Sequence, residues 1–346
     1  MAVTPWPYPW QKALWQELNG LRERLPNGVL VYGSRGCGTF EAAAAFAASL
    51  LCEHPASDGA PCRACHGCAM VSAHTHPDLQ YVVSEFESVP RELPYVSADR
   101  SSADKKTLTR EILIHQTRAL TDFLNLKSHE GGRRVVLVYP ADMIRAEAAA
   151  SLLKSLEEPP ENLVFILVAD EIDRVLPTIR SRCRLVHAAT PSREASLAWL
   201  REQGLEDAEQ RLVNAGGMPV TAAQGDARFE MEPDVRAKFL DLLALGRAGN
   251  MAHIARAVPK FGAPSLPAVA LLLARWGWDL ASARAGGPVR YFPDYAEVIR
   301  ELAGHSDPIK LFTWINTVRD LRRVADHPLN AKTVIDAILL SYQRHI

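Results

Sequence analysis

The chain has 346 residues, more than one hydrophobic core usually holds, so its length predicts two or three domains. Hydrophobic residues make up 48% and charged residues 23%, a globular composition that excludes the disordered and fibrous classes. With 39 Lys and Arg against 40 Asp and Glu, the net charge of -1 indicates neither a global basic footprint for nucleic acid nor an acidic tail.

The sequence also argues against export and membrane insertion. Its start, MAVTPWPYPWQ, lacks the basic residues and the apolar run of a secretory signal, and no uncharged stretch is long enough to span a bilayer as a clean helix. Six cysteines are too few for a disulfide scaffold. We therefore expect a soluble, cytoplasmic protein.

Short apolar runs alternate with amphipathic stretches in the first half of the chain. We predict strands at residues 28–33, 79–83, 134–139 and 163–169. Helices are predicted at 39–52 and around 144–156, the second one stopped by Pro159-Pro160, whereas the polar stretch 84–106 is predicted to be a surface loop. This alternation indicates a parallel sheet covered on both faces.

The strand signal ends at about Val186. Two short helices are predicted at 191–205 and 207–215, and the pattern from residue 233 to the end is helical. The expected plan is therefore an α/β domain, a small helical domain and a C-terminal helical domain.

A glycine-rich loop follows the first strand and reads Gly33-Ser-Arg-Gly-Cys-Gly38-Thr39-Phe40. A phosphate loop, G-x-x-x-x-G-K-[S/T], needs a Lys for the phosphates and a hydroxyl for magnesium. Thr39 stands at the Lys position and Phe40 at the magnesium position, so the loop has both glycines but neither side chain. We interpret it as a phosphate loop that has lost its ligand; an unrelated glycine turn and an active nucleotide site are the alternatives.

The third strand supports the lost-site interpretation. In phosphate-loop ATPases an Asp that holds magnesium follows this strand, often with a Glu that activates water. Tyr139 and Pro140 occupy these places, and Asp142 is displaced. We predict that Asp142 caps the N-terminus of the helix that follows.

Four cysteines lie close together at the spacing Cys52-x9-Cys62-x2-Cys65-x2-Cys68. Four thiolates at such spacing can complete a tetrahedral site, so we predict one structural zinc ion. The alternatives are a set of reduced thiols without a metal and a redox pair. Pro61-Cys-Arg-Ala-Cys65 matches half of a zinc deaminase signature, but the H-x-E that this signature needs is absent. The nearby histidines are not expected to be ligands; these are His54, His66, His74 and His76.

Ser181-Arg182-Cys183 follows the fourth predicted strand. An Arg at the edge of such a fold, without a phosphate site of its own to serve, has the permanent charge and rigid donor fork of an arginine finger. Taken alone, the tripeptide is a weak signal, and a surface salt bridge is the default interpretation.

Taken together, these motifs resemble the clamp-loader subunits of bacterial DNA polymerase III, which belong to the AAA+ family. The resemblance covers essentially the whole chain. It is carried by the degenerate loop Gly33 to Phe40, the four cysteines, Thr75-His-Pro-Asp78, Leu152 to Pro160 with its Leu-Glu-Glu-Pro-Pro ending, Ser181-Arg-Cys183 and Asn330 to Leu340.

The resemblance implies a fold and a domain plan. Residues 1–187 would form an AAA+ α/β domain, with a RecA-like parallel sheet and an inserted zinc module at 52–76. Residues 188–230 would form a small helical lid domain, and residues 231–346 a C-terminal all-helical collar domain that oligomerises.

The resemblance also implies a function. The chain would be a non-catalytic subunit of the DNA polymerase III holoenzyme that binds no nucleotide, because the loop is degenerate and no sensor arginine is evident at 216–219. Arg182 would act in trans as an arginine finger, and the four cysteines would hold zinc. The implied partners are gamma/tau ATPase subunits, the delta subunit, the sliding clamp and primer-template DNA. An active ATPase motor subunit and a zinc-dependent nucleic-acid-binding module are the alternatives.

Overall fold

The computed structural model describes residues 8–97, 108–125, 132–225, 231–258, 264–325 and 329–346. The chain divides into two compact units. The first comprises Met1–Leu212 with Gly217–Ala223, and the second comprises Val213–Gly216 with Gln224–Ile346. The finer division at residues 187 and 230 stays a prediction.

The first unit contains a five-stranded parallel sheet in the order β2-β3-β4-β1-β5. The strands are β1 (Gly28–Tyr32), β2 (Leu79–Val83), β3 (Arg134–Tyr139), β4 (Leu163–Ala169) and β5 (Arg184–His187). All residues of β3 and β4 are buried, as expected for central strands that are apolar on both faces. The four strands predicted from the sequence and their parallel arrangement are confirmed.

Eleven helices lie in the described part of the chain up to residue 224, and some of them cover both faces of this sheet. They are α1 (Lys12–Gly20), α2 (Thr39–Leu50), α3 (His66–Ser72), α4 (Glu85–Arg91), α5 (Ile114–Arg118), α6 (Leu120–Asn125), α7 (Ala146–Glu157), α8 (Pro177–Arg180), α9 (Arg193–Glu202), α10 (Ala208–Asn214) and α11 (Pro219–Gln224). Val29 and Val31 pack into the core on one face with Phe46, whereas Leu30 packs into the core on the other with Leu152. The two-residue period of a strand thus builds two cores.

Strand β5 was not predicted. It pairs with β1 at the sheet edge, from Val29↔Arg184 to Tyr32↔His187. Of its four residues only Val186 is buried, and Leu185 is 37% exposed. Because one buried residue gives neither an apolar run nor an alternation, the local sequence carried too little signal for a strand.

The predicted surface loop at 84–106 is wrong in its first part. Helix α4 begins after Ser84, whose side chain accepts a hydrogen bond from the backbone N–H of Glu87. Glu87 itself is only 3% exposed. The prediction failed because a charged side chain was assumed to be solvated, whereas the fold surrounds Glu87 with cations. Residues 98–106 lie outside the described part of the chain.

The second unit is helical where it is described, as predicted. Its helices are α12 (Pro233–Ala244), α13 (Met251–Ala257), α14 (Leu266–Arg284), α15 (Ala296–His305), α16 (Pro308–Val324) and α17 (Ala331–His345). The core is built around fully buried aromatic side chains: the Trp276 Nε1–H donates to the Tyr342 hydroxyl at 2.9 Å, and that hydroxyl donates to the Leu243 carbonyl at 2.7 Å.

Short 3-10 turns join several of these elements, at Pro9–Gln11, Leu21–Arg24, Ala141–Met143, Ile172–Arg174, Gly246–Ala248 and Pro293–Tyr295. Across the described ranges, no helix combines the length and the apolar character needed to cross a bilayer.

Candidate functional site

The glycine loop connects β1 to α2, as the sequence predicts. Gly36 and Gly38 have φ angles of 84° and 88°, which a side chain would strain, so the two glycines are required by the turn. The N-terminal segment covers the loop. Gln11 Nε2–H donates to the carbonyls of Cys37 at 3.0 Å and Gly38 at 2.8 Å, and a Cβ on Gly38 would lie 2.6 Å from the Tyr8 ring.

The two side chains that replace the Lys and the hydroxyl of a phosphate loop point into the protein. The Thr39 hydroxyl lies 3.1 Å from Cys37 Sγ and is buried. The Phe40 ring packs against the Tyr139 ring, with centroids 5.1 Å apart. The Arg91 guanidinium lies over both rings, 4.8 Å from the Phe40 centroid and 5.1 Å from that of Tyr139. Two tilted aromatic rings with an arginine over them thus surround the position at which a phosphate loop has its magnesium-binding hydroxyl.

A partly buried ion network centred on the buried Glu87 lies beside these rings, where β3 and β4 end. Arg35, from the glycine loop, contacts Glu87 at 2.6 Å and Asp170 at 3.1 Å, and Arg91 contacts the other Glu87 oxygen at 2.6 Å. The Tyr139 hydroxyl accepts from Arg35 at 3.2 Å and donates to Asp170 at 3.1 Å. We call these five residues the loop network.

Burial opposes the charge on Arg35, but Tyr139, Glu87 and Asp170 outweigh it and raise the pKa of Arg35 above its ordinary value. The guanidinium therefore remains a cation inside the loop network. Arg35, Glu87, Arg91 and Asp170 were missed by the sequence reasoning. Arg35 could have been noticed as a cation within the glycine loop, whereas the others carry no local signal.

Asp142 does not cap the next helix, so that prediction is wrong. It lies in the 3-10 turn Ala141–Met143, while α7 begins only at Ala146 with Arg145 at its N-cap. Its Oδ1 accepts instead from the backbone N–H of Asp170 at 3.1 Å. Burial and the charge of Asp170 raise the pKa of Asp142 to about 6.

The four cysteines predicted to bind metal come together. Their sulfur atoms all lie within 4.8 Å of one another, with Cys52 Sγ 3.9 Å from Cys65 Sγ and Cys62 Sγ 4.0 Å from Cys68 Sγ. A tetrahedral zinc ion with 2.3 Å bonds would space its sulfur ligands roughly 3.8 Å apart. The cluster therefore has the size and donor set to hold a metal ion.

Backbone amides point at these sulfur atoms. The N–H of Cys62 donates to Cys52 Sγ at 3.2 Å, and the N–H of Cys65 donates to Cys62 Sγ at 3.3 Å. The amides of Ala64 and Cys65 lower the pKa of Cys62 to about 6, whereas burial raises the pKa of Cys52. Amide donors favour the thiolate, which is the form that binds a metal.

Two of the nearby histidines, His74 and His76, have other contacts in the structure. His74 Nδ1 lies 3.1 Å from the Tyr81 hydroxyl, and His76 Nδ1 accepts from the backbone N–H of Asp78 at 3.1 Å. Within the described ranges, the only group arranged to hold a metal is the set of four cysteines. Four sulfur ligands would complete a tetrahedron and leave no position for a reacting water.

The Ser-Arg-Cys tripeptide lies between α8 and β5, and its residues point in different directions. Arg182 Nε–H donates to Glu157 Oε1 at 2.6 Å, and Nη1–H donates to the Thr178 carbonyl at 2.8 Å. Its side chain is 31% exposed. Cys183 faces inward, since a Cβ on Gly28 would lie 2.9 Å from its sulfur, and burial raises its pKa to about 12.

Glu157 is the first Glu of the Leu-Glu-Glu-Pro-Pro segment and the last residue of α7. The ion pair therefore joins two of the motifs on which the sequence resemblance rests. Arg182 and the loop network are separate features, and the structure gives no contact between them among the described residues.

Residues 10–192 match the protein-family model described as DNA polymerase III, delta subunit. This range is just over half of the chain, and it contains the whole sheet, the glycine loop, the four cysteines and Ser181-Arg182-Cys183. The chain belongs to this family.

Its relatives are named DNA polymerase III subunit delta'. The one from Pseudomonas aeruginosa is 38% identical over 219 residues, covering 62% of this chain and 60% of the relative. The one from Escherichia coli is 31% identical over 198 residues, covering 57% and 53%. The matched part thus spans little more than half the length of these relatives.

One solved structure with a similar chain length is a DNA polymerase III gamma subunit-related protein from Thermotoga maritima. It is 16% identical, with 96% of this chain and 99% of that chain covered, and the TM-score is 0.42. At that score the likeness is too low to support a conclusion.

Proposed function

We propose that this chain is a non-catalytic delta' subunit of the DNA polymerase III clamp loader. In this role it helps to load the sliding clamp on primed DNA and supplies an arginine finger to an ATPase subunit beside it. Membership of the DNA polymerase III delta family supports the assembly. The single observation that supports the non-catalytic role is the loop network, in which Arg35, the one cation of the glycine loop, is paired with two carboxylates of the protein.

We infer from the side chains of the glycine loop and of the start of α2 that this chain does not hydrolyse ATP. Thr39 brings no positive charge to phosphate, and Phe40 cannot ligate a hard cation such as magnesium. Arg35 is the only cation of the glycine loop, and it is paired with two carboxylates, Glu87 and Asp170. Arg35 would have to give up these contacts to serve a phosphate group, so we infer no nucleotide bound by this chain and no intrinsic ATPase activity.

Arg182 is the residue that we propose acts on a neighbour's ATP. Its guanidinium is partly exposed and is held by one carboxylate that is itself 48% exposed. Exposed pairs of this kind are worth about 0–1 kcal/mol, so a phosphate with more negative charge can replace Glu157 as the partner. A finger stabilises the charge that develops on the transferred phosphoryl group.

The metal that we propose for the four-cysteine cluster is one structural zinc ion. Cys52, Cys62, Cys65 and Cys68 would hold it, and when bound it would supply a cross-link with no part in the reaction. Residues 52–76 would then form a zinc module within an AAA+ domain at 1–187.

The remaining parts of the proposal concern the assembly. Residues 188–230 would be a helical lid, and residues 231–346 a collar that joins other subunits. The partners would be the gamma/tau ATPase subunits and the delta subunit, with the sliding clamp and primer-template DNA bound through the complex. The protein would act in the cytoplasm, at the replisome.

The test combines nucleotide binding with reconstitution. We expect the isolated chain to show no saturable binding of labelled ATP. In the reconstituted complex, Arg182→Ala should slow hydrolysis at the site it serves by roughly 10³–10⁵, although other sites would make the fall in the total rate smaller. Arg182→Lys should restore little, since an ammonium group lacks the planar fork.

Arg184→Ala is the matched control, since Arg184 lies two residues away and its exposed side chain contacts the exposed Glu17 at 3.6 Å. It should leave clamp loading and hydrolysis unchanged. Micromolar ATP binding by the isolated chain would favour the active motor subunit instead. Wild-type rates with Arg182→Ala in a correctly assembled complex would leave Arg182 as a surface arginine only.

A further inference from the structure

Four arginines from separate elements of the second unit lie near one another: Arg236 and Arg322 both add positive charge at Arg275, and Arg275 and Arg290 both contact the Tyr291 ring. Arg236 lies on α12, Arg275 on α14, Arg290 in the segment before α15, and Arg322 on α16. We call this set the arginine cluster. Arg275 Cζ lies 5.7 Å and Arg290 Cζ 5.8 Å from the centroid of Tyr291, and the Arg236 Cζ lies 6.0 Å from that of Phe292. Arg236, Arg290 and Arg322 are exposed, whereas Arg275 is half-buried.

One buried carboxylate binds the backbone of the segment that carries Arg290 and the two aromatic rings. Asp279 is fully buried, and its oxygens accept from the backbone N–H groups of Arg290 at 2.8 Å, Tyr291 at 2.9 Å and Phe292 at 2.9 Å. A buried carboxylate with three amide donors orients this segment firmly. The placement of Tyr291 beside Arg275 and Arg290 is therefore built into the unit.

Ion pairs within the described part of the chain do not balance the positive charge of the arginine cluster. Among the described residues, none of its four members has a carboxylate oxygen within 4.0 Å, and the Asp279 oxygens are used by backbone amides. On the same helix as Arg322, by contrast, Arg319 and Arg323 both contact Asp320, at 3.6 and 3.8 Å.

The charged form of Arg275 is destabilised by this arrangement. Burial lowers its pKa to about 10, and the positive charges of Arg236 and Arg322 act in the same direction. Its guanidinium donates to the carbonyl of Asn214, which supplies no negative charge. A half-buried cation among other cations is unfavourable unless an anion binds there.

We infer that the arginine cluster binds the phosphate backbone of DNA. Guanidinium groups present rigid donor pairs that fit phosphate oxygens, and each neutralised phosphate releases counterions. Arginines interleaved with aromatic rings are typical of grooves that follow a nucleic-acid strand. An acidic protein segment is the rival ligand; it would need carboxylates at matching places, whereas every stretch of DNA offers phosphates.

This inference goes beyond the proposed function, since it places a DNA contact in the C-terminal helical unit and does not depend on Arg182. The two proposals can fail separately. Arg182→Ala should bind DNA as the wild type does, whatever it does to ATP hydrolysis.

The test measures fluorescence anisotropy of a labelled oligodeoxythymidylate and a labelled primer-template duplex with the full chain. The double variant Arg236→Gln/Arg322→Gln removes two exposed members of the arginine cluster. The control, Arg319→Gln/Arg323→Gln, removes the same charge from the same unit, but from arginines that already have a carboxylate partner.

We expect the double variant to weaken binding about tenfold or more at low salt. For single-stranded DNA it should also reduce the slope of log K against log salt by about 1.4, because each lost phosphate contact is worth about 0.7. The control should change both quantities much less. Thermal melting followed by circular dichroism shows whether each variant is folded. If the double variant does not fold, the single exposed substitution Arg290→Gln replaces it in the binding measurement.

Three results would overturn the inference. In the first, the wild type fails to bind either DNA at low salt. In the second, both double variants weaken binding equally, which would show that binding depends on the net charge of the unit and not on the arginine cluster. In the third, polyglutamate would displace the labelled DNA at lower charge concentration than unlabelled DNA does, which would assign the arginine cluster to an acidic protein segment.

Discussion

Two glutamates of the first unit illustrate how burial changes the value of an ion pair. Glu157 pairs with Arg182 at the surface, and its side chain is 48% exposed. Glu87 pairs with both Arg35 and Arg91, and its side chain is 4% exposed. The first pair competes with water and salt. Removal of Glu87 would take a largely buried carboxylate away from both Arg35 and Arg91, and Arg35 would keep Asp170 as its carboxylate partner.

We therefore expect the same substitution to have different effects at the two positions. Glu157→Gln should change the free energy of unfolding by less than about 1 kcal/mol. Glu87→Gln should lower it by about 3–5 kcal/mol, since it breaks a buried network. Urea unfolding at neutral pH measures both. Equal costs would show that the loop network contributes no more than a surface pair does.

The pKa of Asp142 predicts a pH dependence of stability. An unfolded Asp has a pKa near 3.9. In the folded chain burial and Asp170 raise the pKa of Asp142 to about 6. Between these values the folded state binds more protons than the unfolded state, so stability falls as pH rises through this window and the loss is complete above about pH 6.

Asp142→Asn should remove this contribution while it keeps an oxygen for the Asp170 amide. Relative to the wild type, the variant should gain up to about 3 kcal/mol in unfolding free energy as pH rises from about 4 to about 6. Urea unfolding at several pH values measures the difference, and Asp173→Asn controls for the loss of one negative charge. A constant difference across the window would contradict the raised pKa.

At the scale of elements, the segment around the four cysteines buries few apolar side chains that could stabilise it. Helix α3 has only seven residues, and residues 53–58 are exposed. The N-cap of α3 is Cys65, whose sulfur accepts from the Cys68 N–H at 3.4 Å. A metal ion on the four sulfurs would therefore stabilise both the helix and the turn before it.

If the site holds zinc, Cys65→Ser should lower the metal content of the purified protein and raise amide hydrogen exchange across residues 52–72. Cys183→Ser is the control, since Cys183 lies outside the cluster under β1. It should leave one zinc ion per chain. Elemental analysis by mass spectrometry gives the metal content, and wild-type protein purified without chelators that contains no metal would contradict the zinc assignment.

At the scale of the whole molecule, the chain has two compact units with cores of their own. Phe165 is fully buried in the sheet core of the first unit, and Trp276 is fully buried among the helices of the second. Because the two clusters share no residue, damage to one core is expected to remain within its unit.

Phe165→Ala and Trp276→Ala test this independence. Each should cost about 3–5 kcal/mol in its own core. We expect hydrogen-exchange mass spectrometry to show lost protection in the sheet for Phe165→Ala, and in the helices from α12 to α17 for Trp276→Ala. Loss of protection throughout the chain in either variant would show that the two units unfold as one.

Much of this molecule was predictable because its signals are local. The apolar runs at 134–139 and 163–169 indicated buried parallel strands, since a strand covered on both faces needs apolar side chains at every position. The four cysteines lie close together in the chain, so their spacing already limited what they could bind. The residue types at positions 39 and 40, Thr and Phe, already indicated that the loop lacks the Lys and the magnesium-binding hydroxyl of a phosphate loop.

The rest was decided by tertiary structure, because it depends on partners that are distant in sequence. Arg35 meets Glu87 across 52 positions and Asp170 across 135, and nothing in the polar stretch around Glu87 distinguished a buried helix from a surface loop. The arginine cluster likewise draws on separate helices and on a segment held by Asp279. Charged residues carry no periodic signal of burial; only the fold determines which of them share a low-dielectric place and which remain in water.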